Sequence, residues 1–533
     1  MSSLLQHIPY SSTHAFSPLV NDFVSDQKKF VSLGVRPVSL SGMREAIDER
    51  LRSTTNRTVL VERLKEQYQG VETSAKVLAN IELLANENTL TITTAHQNNL
   101  FTGPLYFIYK ILHVIQLAKT CQQEFPAYNF VPVFYLGSED ADLEELNHIH
   151  LADAKLVWET KQAGAVGRMK VDASLLQLLD RLEGELGVLP AGKDWIGLLR
   201  ECYTKESSIA SATIRLVNSL FSKFGLVVLN PDDAQLKKLF LPVLQRELFR
   251  GDTESIMTRA IEKLAQLGYE AQAHVRPINL FYLQEGSRQR IEKIGDQWQV
   301  VGTTITFDKA SLELELNQHP ERFSPNVILR GLYQCTLLPD VAFVGGGSEI
   351  SYWLQFGNLF NEHQIPFPVL VLRNSFQLLD TELVKKIAVL QLKPAVFFQT
   401  IQEISNGLLT DEDLAEFSLQ TQLENLHSFY GLIKLKASSI DATLLAHVAA
   451  LEKKAADQLV GLEKKMKKAV KKRYSSQEQQ VAILKNRFSP KGQLQERTLN
   501  AGEYISRYGF DWLDQIAKAS LGFEQQFTLL ELA

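Results

Sequence analysis

Several groups of polar side chains in this chain combine residue types that could do chemistry, and each follows an apolar run. His96-Gln97-Asn98 closes an alternating, β-prone stretch within residues 91–110, TITTAHQNNLFTGPLYFIYK. An imidazole there could donate to a phosphate or a developing oxyanion, and the two amides could bind polar substrate groups. Gly103-Pro104 then opens a helix, so the segment reads as strand, polar loop and helix N-terminus, a junction suited to an anion. The plainer alternative is a set of turn residues capping that helix. Ser138-Glu139-Asp140-Ala141-Asp142 follows the apolar run FVPVFYL at 130–136. Carboxylates so placed could orient an amine, accept its proton or hold Mg2+. An acidic helix start favoured by the macrodipole accounts for Asp142, Glu144 and Glu145, but not for Glu139 and Asp140 directly after the strand. His148 stands just beyond them.

Two further groups point to anions. Gly345-Gly346-Gly347, ahead of Ser348-Glu349 and one turn before Tyr352 and Trp353, allows a ligand close to the backbone. It has neither the Lys-Ser/Thr ending of a P-loop nor GxGxxG spacing, and a flexible strand–helix link would look the same. Arg288, Arg290 and Arg330 have the geometry to hold carboxylates or phosphates, although any one of them could be an ordinary surface arginine. Lys491 and Arg497, six apart in KGQLQER, could reach phosphates as the chain leaves its last long helix.

The elements that must position these residues alternate. Leu90, Ile92 and Thr94 precede the helix after Pro104; 130–136 and 225–229 are short apolar strands; Val341-Ala-Phe-Val344 runs into the glycines. Strands apolar throughout, separated by helices, indicate a mostly parallel sheet covered on both faces, a Rossmann-like α/β core. Every polar cluster falls at a strand's carboxyl end, where such sheets bind ligands. The expected organisation is a mainly helical region at 1–87, a core at 88–384 with insertions near 150–205 and 233–325, a helical coiled coil at 385–488, and a return to the core at 489–533. Leu444, Val448, Leu451, Ala455, Leu459, Leu462, Met466 and Val470 form one apolar stripe, and Val481, Leu484 and Phe488 continue one beyond the polar break at Ser475-Ser476. Two long helices folded back as an antiparallel coiled coil, serving as a dimer element, fit that pattern. The basic run at 464–473 reads as its solvated face.

Composition narrows the class. A net charge of −5 argues against a nucleic-acid protein. No apolar run reaches the roughly 18 residues a membrane helix needs, and the N-terminus lacks a secretory layout. Cys121, Cys202 and Cys335 lie far apart with no CxxC pair, so neither a zinc site nor a disulfide framework is suggested. A cytoplasmic protein without a tightly bound metal is expected.

Six segments occur together: TTAHQNNLFTGPLYFIYK, PVFYLGSEDADLEELNH, NPDD at 230–233, NLFYLQEGSRQRIE at 279–292, FSPNVILRGLYQCTLLPDVAFVGGGSEISYW, and FSPKGQLQER. In that order they resemble the bacillithiol-biosynthesis cysteine-adding enzymes across nearly the whole chain. The resemblance implies a core similar to class I aminoacyl-tRNA synthetase-type nucleotidyltransferases, with connecting insertions and a dimerising coiled coil. It also implies an ATP-dependent ligase joining the carboxyl of L-cysteine to the amine of glucosaminyl-malate through an adenylate or an acyl phosphate. ATP or ADP, with Mg2+ admitted, would be the cofactor. Carried onto this chain, Glu139, Asp140 and His96 become catalytic candidates. Gln97, Asn98, Gly103, Ser138, His148, Asn279, Arg288, Arg330, Gly345, Gly346, Glu349 and Tyr352 become substrate-binding candidates, and Lys491, Gln495 and Arg497 nucleotide-binding ones. The chain departs from the family's common pattern at Ala95-His96, where Gly-Gln is frequent, at Ala141, where His is frequent, and in the all-glycine loop, where a proline is frequent. A proton-transfer role at position 141 is therefore closed. The alternatives from other classes are a non-catalytic nucleotide- or thiol-binding protein assembled through its coiled coil, and a tRNA-linked enzyme, which the acidic balance disfavours.

Overall fold

The computed structural model describes residues 5–152 and 154–532, which form two compact units: Met1–Leu378 with Gln493–Leu530, and Leu379–Gly492 with the last residues. At the centre of the larger unit is a five-stranded sheet. Its strands are β1 (Thr89–Gln97), β2 (Asn129–Gly137), β3 (Val227–Leu229), β4 (Asp340–Gly345) and β5 (Val369–Leu372). The order is β5-β4-β1-β2-β3 and every pairing is parallel. β-branched and aromatic residues fill the strands and are buried on both faces, as a helix-covered parallel sheet requires. Leu90 and Ile92 meet Val341, Val344, Val369 and Val371, and the layer is closed by Val114 and Leu117 on one helix and Met43 and Ile47 on another.

The chain lays down β1, β2 and β3 in one direction, then crosses back to place β4 and β5 on the other side of β1. This reversal opens a crevice at the carboxyl ends of β1 and β4, the position where open α/β sheets take ligands. A buried carboxylate ties the two strands together beneath it. Asp340 at the start of β4 accepts from the Thr91 and Thr93 hydroxyls of β1 and from Gln334 Nε2 at 2.8 Å. Burial raises its carboxyl, and these donors oppose the rise.

Helix α1 (Tyr106–Glu124) returns from β1 to β2, and α2 (Ile209–Phe221) leads into β3. Helix α3 (Val327–Leu337) precedes β4, and the short α4 (Gly347–Trp353) follows it. Trp353 of α4 stacks on Phe343 of β4 at 4.2 Å, which fixes the angle at which α4 leaves the sheet. Between β3 and α3 stands a feature for which the sequence reading assigned only weakened alternation: a five-stranded antiparallel sheet. Its strands Leu280–Gln284, Ser287–Ile294 and Gln297–Val300 are joined by tight turns in which Gly286 and Gly295 take positive φ.

In the smaller unit, α5 (Gln420–Ile440) and α6 (Leu444–Lys471) form an antiparallel hairpin. The reversal is at Asp441–Thr443, where the Asp441 carboxylate accepts from the Thr443 amide and hydroxyl at 2.8 Å each. The stripe on α6 is thus divided: Val448 and Val470 are buried, whereas Leu451 and Leu462 stay exposed. The polar break at Ser475-Ser476 makes no hairpin: α6 passes through one tighter turn at Lys472–Tyr474 into α7 (Ser475–Phe488). Val481, Leu484 and Phe488 instead pack locally, with Phe488 against Phe397 and Phe398. Serines tolerate a helix start as well as a turn, so composition there does not separate the two.

Candidate active site

The crevice at the switch point is a cavity of about 690 Å³. Its first wall is the exit of β1. After Gln97 the chain makes an unusual loop in which Phe101, Thr102 and Gly103 all have positive φ. A side chain at Gly103 would come within 2.3 Å of the Asn99 amide, so glycine is required there. Asn500 clamps the loop from the C-terminal segment, its Nδ2 donating to Phe101 O at 2.9 Å and Gly103 O at 2.7 Å. α1 then starts at Tyr106, and one turn on Lys110 faces back toward β1. The Lys110 ammonium, only 1% exposed, donates to Ala95 O at 2.6 Å and pairs with Glu349 of α4 at 2.7 Å. Burial lowers its pKa and Glu349 opposes the shift.

The second wall comes from β2, α3 and the antiparallel sheet. Asp140 accepts from both Nη atoms of Arg330 at 3.3 Å and from Gln97 Nε2 at 3.3 Å. Burial would raise the Asp140 carboxyl, but Arg330 and Arg288 outweigh it and hold the group below the usual carboxylate range. Arg288 reaches the same region from the strand Ser287–Ile294. Its Nε donates to Ser324 Oγ at 3.1 Å and its guanidinium lies 3.9 Å over the Phe281 ring. Burial and Arg330 draw its pKa down to about 10, which leaves it cationic at neutral pH. Asn326, at the start of α3, completes this wall.

The third wall is the β4–α4 turn and the segment after β5. The Glu349 carboxylate accepts from Gly346 N at 2.7 Å besides pairing with Lys110. Arg373 is buried and bound to Glu496 at 2.7 Å, and its guanidinium lies 5.2 Å over the Tyr106 ring. Burial raises the Tyr106 hydroxyl to about 12, so it remains a donor. Arg497 sits at the rim over Phe16. His96 faces this group. Burial, then Lys110 and Arg373, hold its imidazole well below the ordinary value, so it is neutral at pH 7. Asn99 Nδ2 stands 3.3 Å from His96 Nε2, and with the amide donating, the ring proton falls on Nδ1.

Of the sequence candidates, the crevice gathers His96, Gln97, Asp140, Arg288, Arg330, Gly346, Glu349, Tyr352 and Arg497. The others lie elsewhere or serve as framework. Glu139 is buried behind the wall, paired to Lys237 at 2.6 Å and accepting from Ser324 Oγ at 3.2 Å. Ser138 is spent on Asn230 at 2.5 Å, and Asn98 on Thr213 of α2 at 3.2 Å. Gly103 shapes the loop, and Gly345 ends β4 with its carbonyl accepting from Arg373 N at 2.8 Å. Asn279 holds Glu247 and accepts from Asn326 Nδ2 at 3.0 Å, so it supports a lining residue without lining the cavity. His148 belongs to a small hairpin, with Nδ1 3.1 Å from Glu144 O. Gln495 is bound to the backbone of Leu378. Lys491 stands exposed in the turn Pro490–Gly492 of the helical unit, with φ of 55°. Arg290 is on the exposed side of its strand, near Glu292.

Lys110, Arg373, Asn326 and Glu145 line the crevice but were not singled out as site residues from sequence. A lysine inside the apolar run YFIYKILHV was a usable signal, because an unpaired charge is not carried into a core. Arg373 directly after the apolar strand Val369–Leu372 was another.

Among the lining residues, five cations (Lys110, Arg288, Arg330, Arg373, Arg497) face three carboxylates (Asp140, Glu145, Glu349), so the crevice is positive although the chain is acidic. No cluster of His, Cys, Asp and Glu suited to a metal ion is present among the described residues. No helix among them is long and apolar enough to cross a membrane. The fold and the crevice together define a Rossmann-like α/β protein with a positively charged crevice at its switch point. Residues 4–374 match the family described as bacillithiol biosynthesis BshC, N-terminal Rossmann-like domain, and residues 376–532 match the C-terminal coiled-coil domain of the same family. The chain belongs to the BshC family of bacillithiol biosynthesis, as the six sequence segments had suggested. It is 36% identical over 98% of its length to a Flavobacterium johnsoniae protein named "Putative cysteine ligase BshC", of which 99% is covered. Proteins of the same name from Cytophaga hutchinsonii (35% identical, 92% of each chain) and Bacillus cytotoxicus (24% identical, 96% of this chain and 98% of the relative) are also similar.

Proposed function

We propose that this protein is a cysteine ligase that forms the amide bond between L-cysteine and the amine of glucosaminyl-malate, with ATP as the energy source. The observation that carries the reading is the pair of guanidiniums on one side of a positive crevice, Arg330 braced by Asp140 and Arg288 by Ser324. Malate brings two carboxylates, and a braced arginine pair matches them in charge and planarity. Lys110 and Arg373 face the same cavity from the other walls, where they suit the oxyanion of an activated carboxyl or its phosphate. A free carboxylate does not yield hydroxide to an amine, so activation precedes attack, as an adenylate or an acyl phosphate. Mg2+ would accompany the nucleotide phosphates as their counter-ion.

His96, neutral and protonated on Nδ1, serves as a hydrogen-bond donor on this reading, and Asp140 as a brace for Arg330. Glu139 has no place in the chemistry, because Lys237 occupies it away from the cavity. The protein is proposed to act as a homodimer through the coiled coil. Leu451 and Leu462 are 45% and 48% exposed on α6, which supports an apolar face left for a second copy.

The test is direct. Purified protein with L-cysteine, ATP, Mg2+ and glucosaminyl-malate under reducing conditions should yield a species with the mass of bacillithiol. Release of AMP and pyrophosphate would indicate the adenylate, and release of ADP and phosphate the acyl phosphate. Absence of both product and nucleotide turnover refutes the assignment.

A further inference from the structure

Three carboxylates line the crevice, and two are already committed. Asp140 is engaged by Arg330 and kept ionised below the usual range. Glu349 is saturated by Lys110 and the Gly346 amide. Glu145 differs: it is the one lining carboxylate with no ion pair among the described residues, and its side-chain partner is Gln97 Nε2 at 3.5 Å. The same Gln97 nitrogen lies 3.3 Å from Asp140. Gln97 thus spans two carboxylates of unlike condition, one bound to the arginine that suits malate and one open to the cavity.

We infer that Glu145 takes the proton released when the glucosamine nitrogen attacks the activated cysteine. This rests on the ligase reading above. The nitrogen lone pair forms the new bond to the cysteinyl carbonyl carbon. The bond from that carbon to the phosphate or adenylate oxygen breaks, and its electron pair leaves on the oxygen. The proton carried by the attacking nitrogen passes to the Glu145 carboxylate and from there to solvent. Nitrogen that has added to a carbonyl is far more acidic than a free ammonium, so a carboxylate is basic enough for the step.

The neighbours of Glu145 support the role. Its carboxyl is raised above the ordinary value by burial first and then by Asp142 and Asp140, with the Gln97 amide opposing. Tyr106 of α1 also feels the Glu145 charge, and its own hydroxyl stays protonated. No arginine or lysine of the crevice is paired with Glu145, so nothing holds it as a permanent anion. Asp142 caps the short helix Leu143–Leu146 through the Glu145 amide at 3.2 Å, and asparagine can make the same cap.

The experiment compares pH profiles of kcat for the wild type, Glu145→Gln and Asp142→Asn, with glucosaminyl-malate, cysteine and Mg-ATP. The wild-type rate should fall on the acid side as Glu145 gains a proton. Glu145→Gln should lose kcat by about 100-fold or more, keep its KM for glucosaminyl-malate within a few-fold, and lose the part of the acidic limb due to Glu145, leaving only that of the substrate's own ammonium. Asp142→Asn should keep activity and shift the limb to lower pH, because a charge that raised the Glu145 pKa is gone. An acidic limb of unchanged position and slope in Glu145→Gln, or a kcat within a few-fold of wild type, overturns the role of Glu145 and leaves the ligase reading standing. A wild type that forms no product overturns the ligase reading and the inference with it.

Discussion

Replacing Glu139 by glutamine separates a carboxylate that serves the fold through Lys237 from one that serves the chemistry. Lys237 is fully buried, with its ammonium 2.6 Å from Glu139 and 2.7 Å from the Phe323 carbonyl, and it lies 5.1 Å from the Tyr333 ring. Burial lowers its pKa, and Glu139 is the largest influence opposing that. Glu139→Gln keeps the shape and removes the counter-charge. Breaking a buried pair from one side costs about 3–5 kcal/mol, because the remaining charge stays in a low-dielectric site. Against a total stability of roughly 5–15 kcal/mol that is a large loss. The urea slope is about 1–3 kcal/mol/M for small proteins and grows with size, so at roughly 3–5 kcal/mol/M for the larger unit the unfolding midpoint should drop by about 1 M. The double variant Glu139→Leu with Lys237→Met should lose far less, since replacing both partners by apolar groups is close to neutral. The folded fraction of Glu139→Gln should keep kcat within a few-fold. An unchanged midpoint with abolished activity would refute the reasoning and return Glu139 to the chemistry.

Three other outcomes are expected. Arg330→Ala removes charge-assisted hydrogen bonds worth about 1.5–3 kcal/mol each, so the KM for glucosaminyl-malate should rise about 10- to 100-fold in steady-state assays while the KM for cysteine moves little. Leu451→Asp with Leu462→Asp should convert a dimer to a monomer in light scattering, and an unaltered mass would place the interface elsewhere. Burial pushes the Asp172 carboxyl up, but Ser174, Trp158 and Thr160 outweigh it and set it at about 2. Its folded-state value is therefore depressed, so its stabilisation is present above about pH 4 and lost as pH falls toward 2. Asp172→Asn should destabilise the protein at pH 6 by more than at pH 2 in urea titrations, and equal losses at both would contradict this.

How far the sequence could be read depended on whether a residue's role is local. β1, β2 and β4 announce themselves by uninterrupted apolar or β-branched runs, and the turn to α1 by Gly103-Pro104. The folded-back long helices of the smaller unit follow from the stripe beginning at Leu444, but the helix that pairs with it does not, because α5 carries weaker periodicity and the reversal uses only residues 441–443. The antiparallel sheet between β3 and α3 escaped notice because its strands are short and half-exposed, and so mix polar and apolar residues. At the site, position along the chain indicated which loops converge but not which way side chains point. Asn98 and Ser138 stand at strand ends as ligand-binding residues do, yet Asn98 turns inward to helix α2 and Ser138 to the loop after β3. Lys110 and Arg373 hold the opposite lesson. Their partners Glu349 and Glu496 are more than a hundred residues away, so nothing near them in sequence shows that a buried charge is balanced.

The clamp that Asn500 places on the loop of Phe101 and Gly103 has a consequence for how the enzyme comes into being. The loop has three residues in left-handed conformations, and its outside support arrives about four hundred positions later in the chain. Glu496, which holds Arg373 in the crevice, comes from the same late segment. During synthesis the sheet can therefore assemble while the crevice stays unformed, since contacts so distant in sequence close last. A polypeptide cut short before residue 496 would keep every cation of the crevice but Arg497, while Arg373 would lose Glu496 and the loop of Phe101 and Gly103 its clamp. The short reach from Glu496 to Asn500 thus completes two walls of the crevice at once.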